Sequence, residues 1–222
     1  MRANTHHLPL VDGYFCFYRR SVASVFRMPC ESHTPRVTLT LDELRAVSAF
    51  NLACALQVID LFETAVPLDT RPREALAAAE AFVRGGQRSQ AQRTCATAAH
   101  RAAKEASSPA ARHAAMAAGD AAASAYLHPL ADAAQVGHIL RGPAHTVLAL
   151  QCRPHDPLAR ADAESAALLG VPTTVADVLG RYPRVDAAKG EVTEVMRSLD
   201  ERLREPARQA PLSPESDIAN QR

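Results

Sequence analysis

The sequence predicts an all-α protein: a compact bundle of about five antiparallel, Ala-rich helices with a C-terminal helical extension. Three observations point there. Ala, the best helix former, makes up about a fifth of the 222 residues, while Gly is held to nine. Apolar side chains recur with a helical period through the middle of the chain. Pro, Gly, Ser and Thr punctuate that periodic region at short intervals, which favours antiparallel neighbours. With no Trp and 5% aromatic residues, the core is built from small and aliphatic side chains.

The elements follow in order. Thr40-Leu41-Asp42-Glu43 fits a capping box, with Thr40 as N-cap and Glu43 reaching back. The helix it opens runs to about Glu63. It is apolar around much of its circumference (Leu44, Val47, Phe50, Leu56, Ile59, Phe62), the character of a bundle's central helix. Asp69 or Thr70 caps a second helix. Pro72 lies in its first turn, where a missing N–H costs nothing, and Gly85-Gly86 ends it. A third helix runs from about Gln87 to Ala106, and Ser107-Ser108-Pro109 then caps a fourth, about 109–127. Pro129 begins a fifth, which Gly142-Pro143 interrupts before a last turn to about Leu150. From Ala75 to Ala134 about four residues in ten are Ala, so facing helices are expected near the short end of the roughly 8–10 Å interaxial range.

The flanks differ in character. Residues 1–36 hold most of the aromatics and sustain no helical period; they read as a poorly structured arm or an extension ahead of the true start. The helical domain spans 37–150 and a helical extension 151–205. In that extension Thr173 or Thr174 opens a short helix to Leu179. Glu191–Arg204 reads as a charged amphipathic helix with Val192, Val195, Met196, Leu199 and Leu203 on one side. That helix either docks on the bundle or pairs with a second copy as a homodimer. Residues 206–222, rich in Pro and Ser, read as a disordered tail.

Composition excludes several functions. Lys and Arg number 25 against 24 Asp and Glu, so the chain lacks the electrostatic footprint of a general nucleic-acid binder. No apolar run approaches the roughly 18 residues of a membrane span. His6, His7, Asp12 and Arg19-Arg20 interrupt any signal-peptide order. The five cysteines are widely spaced, odd in number and without a CxxC, which fits free thiols in a reducing compartment. The expectation is a cytoplasmic protein with no nucleic-acid, membrane or cofactor partner.

The chemical candidates are histidines and arginines. His100, His113, His128, His138 and His145 fall on the expected helices or their ends. No Glu-x-x-His pair or HExxH occurs, and no nucleophile elbow, P-loop or dinucleotide fingerprint is present, so no catalytic or metal-ligand set is assigned. His128 and Asp132 lie at i, i+4. His138 and His145 lie at i, i+7, with Pro143 between them to disturb the register. Carboxylates such as Asp60, Glu80 and Asp120 look scattered, mostly solvated or paired with arginines. Arg71-Pro72-Arg73 beside Asp69 is the most distinctive polar cluster; it reads as a helix-start turn with local pairing, or as forks holding a carboxylate. His100, on an Ala-rich face, reads first as a half-buried core residue, and otherwise as a hydrogen-bonding or pH-sensitive contact.

Several of these segments together resemble a known family. They are Thr38-Leu39-Thr40-Leu41-Asp42-Glu43-Leu44-Arg45, the helix carrying Cys54 and ending Leu61-Phe62-Glu63, Asp69-Thr70-Arg71-Pro72-Arg73-Glu74-Ala75, and Ala99-His100-Arg101-Ala102-Ala103-Lys104-Glu105-Ala106. They resemble the Ala-rich, all-helical immunity proteins of bacterial polymorphic toxin systems, over about residues 37–150. There are departures: Tyr126 and Leu130 stand where that family tends to carry His, Gln57 where a basic residue is expected, and Lys104 where Arg is expected. The resemblance implies an immunity protein that neutralises a cognate toxin by stoichiometric occlusion, without catalysis. Arg71, Arg73, His100, Glu105 and His128 are the candidate binding positions. The alternative is a small-ligand or metal-binding protein, or an enzyme, with a polar pocket near His100, His128 and Asp132. A buried His/Asp/Arg cluster with shifted pKa values favours that alternative, and a solvent-facing scatter favours the binder.

Overall fold

The capping box forms as the sequence predicts. In the computed structural model, which describes residues 35–185 and 189–205, Glu43 N–H donates to the Thr40 hydroxyl at 3.2 Å, and Thr40 N–H donates to the Glu43 carboxylate at 2.8 Å. The helix so opened, α1, spans Leu41–Leu56. It is followed by α2 (Ile59–Ala65), α3 (Arg71–Val83), α4 (Gln90–Glu105) and α5 (Pro109–Ala123). Two 3-10 turns (Ser124–Tyr126 and Ala133–Val136) lead into α6 (Gly137–Gln151), then α7 (Arg160–Ala167), α8 (Thr173–Gly180) and α9 (Glu191–Arg204). Among the described residues the architecture is all-α; the one extended pairing is an isolated antiparallel bridge between Arg36 and Leu130. No single described helix is long and apolar enough to cross a membrane. Of the arm expected at 1–36, residues 1–34 lie outside the described residues, as does the tail at 206–222.

Three expectations about helix boundaries need correction. The expected 40–63 helix is two, bent by 46° at Gln57-Val58. Val58 leaves the helical region (φ −131°, ψ −3°) and is fully buried, so the bend turns the apolar faces of both α1 and α2 toward α5. The third helix begins at Gln90 rather than Gln87, because Ser89 and Gln92 form a second capping box. The fifth does not start at Pro129 and is not interrupted at Gly142-Pro143: α6 runs unbroken through Pro143. α7 has no counterpart among the expected elements.

The centre of the bundle is α5, not the first helix. Ten of its fifteen residues are buried, eight of them Ala, and α1, α2, α3, α4 and α6 all pack against it. Only side chains as small as Ala allow one helix to be enclosed by so many neighbours. Phe62, Phe82, Leu127, Ile139, Leu140 and Leu148 fill the space around it. Of the two alternatives for 191–204, docking is what this chain shows. Val195 and Leu199 are fully buried as α9 packs on α6 and α8, each contributing on the order of 2 kcal/mol. Arg204 of the same helix donates to the Tyr182 carbonyl at 3.2 Å.

Asn51 explains why Pro143 is tolerated. A proline at 143 has no N–H for the carbonyl of Ile139, one turn back. Asn51 Nδ2, fully buried on α1, donates to that carbonyl at 3.1 Å and to its own helix at Val47 O, also 3.1 Å. Gly142 makes the approach possible, since a Cβ there would lie 2.4 Å from Asn51 Oδ1. Asn51→Ala is expected to leave the Ile139 carbonyl buried and unpaired, lowering unfolding free energy by about 1–3 kcal/mol in urea titrations. Gly142→Ala should also destabilise the wild type, and by clearly less in the Asn51→Ala background, where the clash is gone.

Candidate functional site

The buried polar centre of the bundle is Asp120, in the last turn of α5. Its side chain is 2% exposed in a helix otherwise lined by Ala. Arg141 of α6 donates from Nε and Nη2 to Asp120 Oδ1, at 2.9 and 2.7 Å. His100 of α4 brings Nε2 to 3.2 Å from the same oxygen, out of line for a good hydrogen bond. Gly119 makes room for this ring, because a Cβ there would fall 2.4 Å from His100 Cδ2. On the other side His145 Nε2 stands 3.9 Å from Asp120 Oδ2, and that oxygen accepts no hydrogen bond. Three helices thus meet on one carboxylate.

A second ring extends the chain of polar contacts. His113 Nδ1 and His145 Nδ1 are 2.9 Å apart, so one of them donates and the other accepts. The His145 Nε2–H tautomer is favoured by the carboxylate it faces. His145 Nδ1 is then the acceptor and His113 the donor, giving the order His113, His145, Asp120. Burial pushes the His145 imidazole down to about 4, against the opposing pull of Asp120. Burial likewise pushes His138 down to about 4, with Arg141 adding to it, and lowers His113. Burial works to raise Asp120, but His100 and Arg141 outweigh it and hold the carboxyl below its usual range.

The expected site residues fall into separate groups. His100 joins the Asp120 centre. Arg71 and Glu105 do meet, but in an ion-pair knot: Arg71 Nη2 holds Asp69 Oδ2 at 2.5 Å and also contacts Glu105 Oε2, tying the start of α3 to the end of α4. Arg73 donates from Nε and Nη2 to the two Glu63 oxygens, both at 2.7 Å. The arginine forks at this helix start therefore hold carboxylates of the same chain. His128 is fixed through its backbone, its N–H donating to Gln135 and its carbonyl accepting from Tyr182 Oη. Asp132 caps the 3-10 turn after it through Ala134 N–H and takes no part in the His100 cluster. Among the described residues no group of three or more His, Cys, Asp and Glu is arranged to hold a metal ion.

Sequence reasoning missed the role of Asp120, Arg141 and the His145–His113 pair. Along the chain Asp120 reads as one scattered carboxylate among several, although a lone Asp beside Gly119 in an Ala-faced helix is a visible signal. The expectation that Pro143 disturbs the His138 and His145 register is overturned. α6 stays helical, so His138, Arg141 and His145 rise at steps of three and four along it.

The chain matches the Imm5_like family over residues 38–132. The family is described as "Imm-5 like putative immunity protein". No curated protein and no solved structure matches the chain. The Imm5_like segment takes in α1 to α5 and all five expected binding positions. It supplies Asp120, His100 and His113, while Arg141 and His145 come from α6, beyond the match.

Two outcomes follow from the charge at the centre. Arg141→Met is expected to cost about 3–5 kcal/mol, because it leaves a buried carboxylate with its main counter-charge gone. Asp120→Asn should cost less, since the 40%-exposed Arg141 side chain can turn to water; urea unfolding of the two variants compares them. The pH dependence has a definite sign. Above about pH 6.5 the stability held by a neutral, buried His145 is fully present. As pH falls toward 4 the unfolded chain takes up a proton that the folded chain refuses, and stability drops by on the order of 3 kcal/mol for this group. Calorimetric melting from pH 7 down to 4.5 should show that fall, with a shallower slope in His145→Gln.

Proposed function

We propose that this protein is an immunity protein that binds a cognate bacterial toxin in the cytoplasm and blocks it by stoichiometric occlusion, without turnover. The observation that carries this reading is the Imm5_like match across α1–α5. The architecture supports it. A bundle locked by a fully buried Asn51, a buried carboxylate shared by three helices and well-formed helix caps is a rigid scaffold, and rigidity lowers the ordering cost of binding. The expected positions Arg71, Arg73 and Glu105 act in this reading as the supports of the α2–α3–α4 edge, since each already holds a partner within the chain.

A second reading is favoured by one observation: the His100–Asp120–Arg141–His145 set, built on a buried carboxylate and with the His145 imidazole lowered by burial, is the kind of cluster a small-ligand site or an enzyme uses. The two readings separate in one experiment. The purified full chain is used as bait in lysate of its own organism under toxin-producing conditions, and bound proteins are identified by mass spectrometry. The expected result is one dominant partner at equimolar ratio, whose toxicity on expression is relieved by co-expression of this chain. Absence of such a partner, with a small molecule or metal retained by the protein in native mass spectrometry, would overturn the immunity reading in favour of the second.

A further inference from the structure

Arg141 is held on one side only. Its Nε and Nη2 are committed to Asp120, while Nη1 donates to no described residue and the side chain is 40% exposed. A guanidinium fixed in this way keeps its other edge, Nη1 with Nη2, aimed outward in a single orientation, the geometry that takes a carboxylate in a fork. Gly137 lies one turn before Arg141, and a Cβ there would meet only Arg141 Nη1, at 3.9 Å. In a chain this rich in Ala, a glycine at an ordinary helical φ of −57° gives up helix propensity. Here it leaves the approach to Nη1 open.

Counted along the chain, the stretch from α4 to α6 is more basic than acidic. Along α4 to α6 the basic residues are Arg93, Arg101, Lys104, Arg112 and Arg141. The acidic ones are Glu105, Asp120 and Asp132. Glu105 is taken by Arg71 and Asp120 lies buried beneath Arg141, which leaves Asp132 as the unpaired carboxylate on that stretch among the described residues. α1 and α2 carry Asp42, Glu43, Asp60 and Glu63 against Arg45, with Glu43 and Glu63 paired to Arg181 and Arg73.

We propose that Arg141, preset by buried Asp120 and uncovered by Gly137, is an interface anchor that takes a carboxylate from an acidic segment of the partner protein beside α6. The inference rests on the toxin-binding reading for the identity of that partner. Arginine is enriched among the few residues that dominate interfaces, and a preset side chain loses little freedom on binding. Asp120 is a positioning residue here.

Two variants of the full chain test it. Gly137→Leu puts a side chain against Nη1, leaves Asp120 and Arg141 themselves unchanged and is compatible with the backbone at that position. Arg141→Lys keeps a charge for Asp120 but removes the fork. Far-ultraviolet circular dichroism melts confirm that both fold. The first arm measures fluorescence anisotropy of a labelled hexaglutamate peptide at low salt, with hexalysine as control. Wild type should bind hexaglutamate only, and each variant should weaken it by at least about fivefold. Equal binding by all three proteins, or no binding by wild type, overturns the proposal. The second arm compares capture of the toxin. If wild type captures it and both variants do so equally well, Arg141 is not the anchor, although the immunity reading stands. If hexaglutamate discriminates but no toxin is captured, the acid-binding site stands and the immunity reading falls.

Discussion

One buried carboxylate organises the fold. Asp120 is removed from water in the last turn of an Ala-faced helix, where an uncompensated charge is not tolerated. Its compensation comes from two other helices, Arg141 on α6 and His100 on α4, with His145 close by. Satisfying that charge fixes the rotation of α4 and α6 about their own axes relative to α5. Packing of Ala against Ala specifies rotation only weakly, because small side chains present similar surfaces in many registers. The polar centre therefore supplies the specificity that an Ala-rich core lacks.

The glycines show what this arrangement demands. Gly119 gives way to the His100 ring, and Gly142 to the Asn51 amide that satisfies the carbonyl freed by Pro143. Each sits in a helix where Ala would be the better former. Both are placed where a polar side chain from a neighbouring helix crosses at close range. The interior of the bundle thus carries polar joints between helices, among them α1 to α6 through Asn51 and α4 to α5 to α6 through Asp120.

The later helices complete the bundle. Arg181, just past α8, donates to Glu43 at 2.6 Å and holds that carboxyl down at about 2, tying the start of α1 to the end of α8. On α9, Ser198 and Arg202 both reach Glu164 of α7. α6, which lies beyond the segment matched by the family, supplies half of the polar centre. The matched segment thus depends on α6 to balance its central charge.

The sequence by itself determined the fold class, the helix caps at Thr40 and Ser108, the Pro72 helix start, the Gly85-Gly86 stop and the whole of α9. These are local effects, settled by side chains reaching backbone groups within a turn or by apolar periodicity along one helix. It also disclosed the likeness to the family matched over 38–132, through short segments read together. Tertiary structure alone decided the rest. The bend at Val58 exists because α5 requires two apolar faces at once. The continuity of α6 through Pro143 depends on a donor 88 residues away in the chain. The site shows the same division. The pairing of Arg71 with nearby Asp69 was legible from residue types, but Asp120 gained its meaning from His100 and Arg141, which lie twenty and twenty-one residues away on opposite sides along the chain. A single carboxylate carries no spacing pattern of its own. Its role is set by which helices close over it, and that is fixed only when the chain has packed.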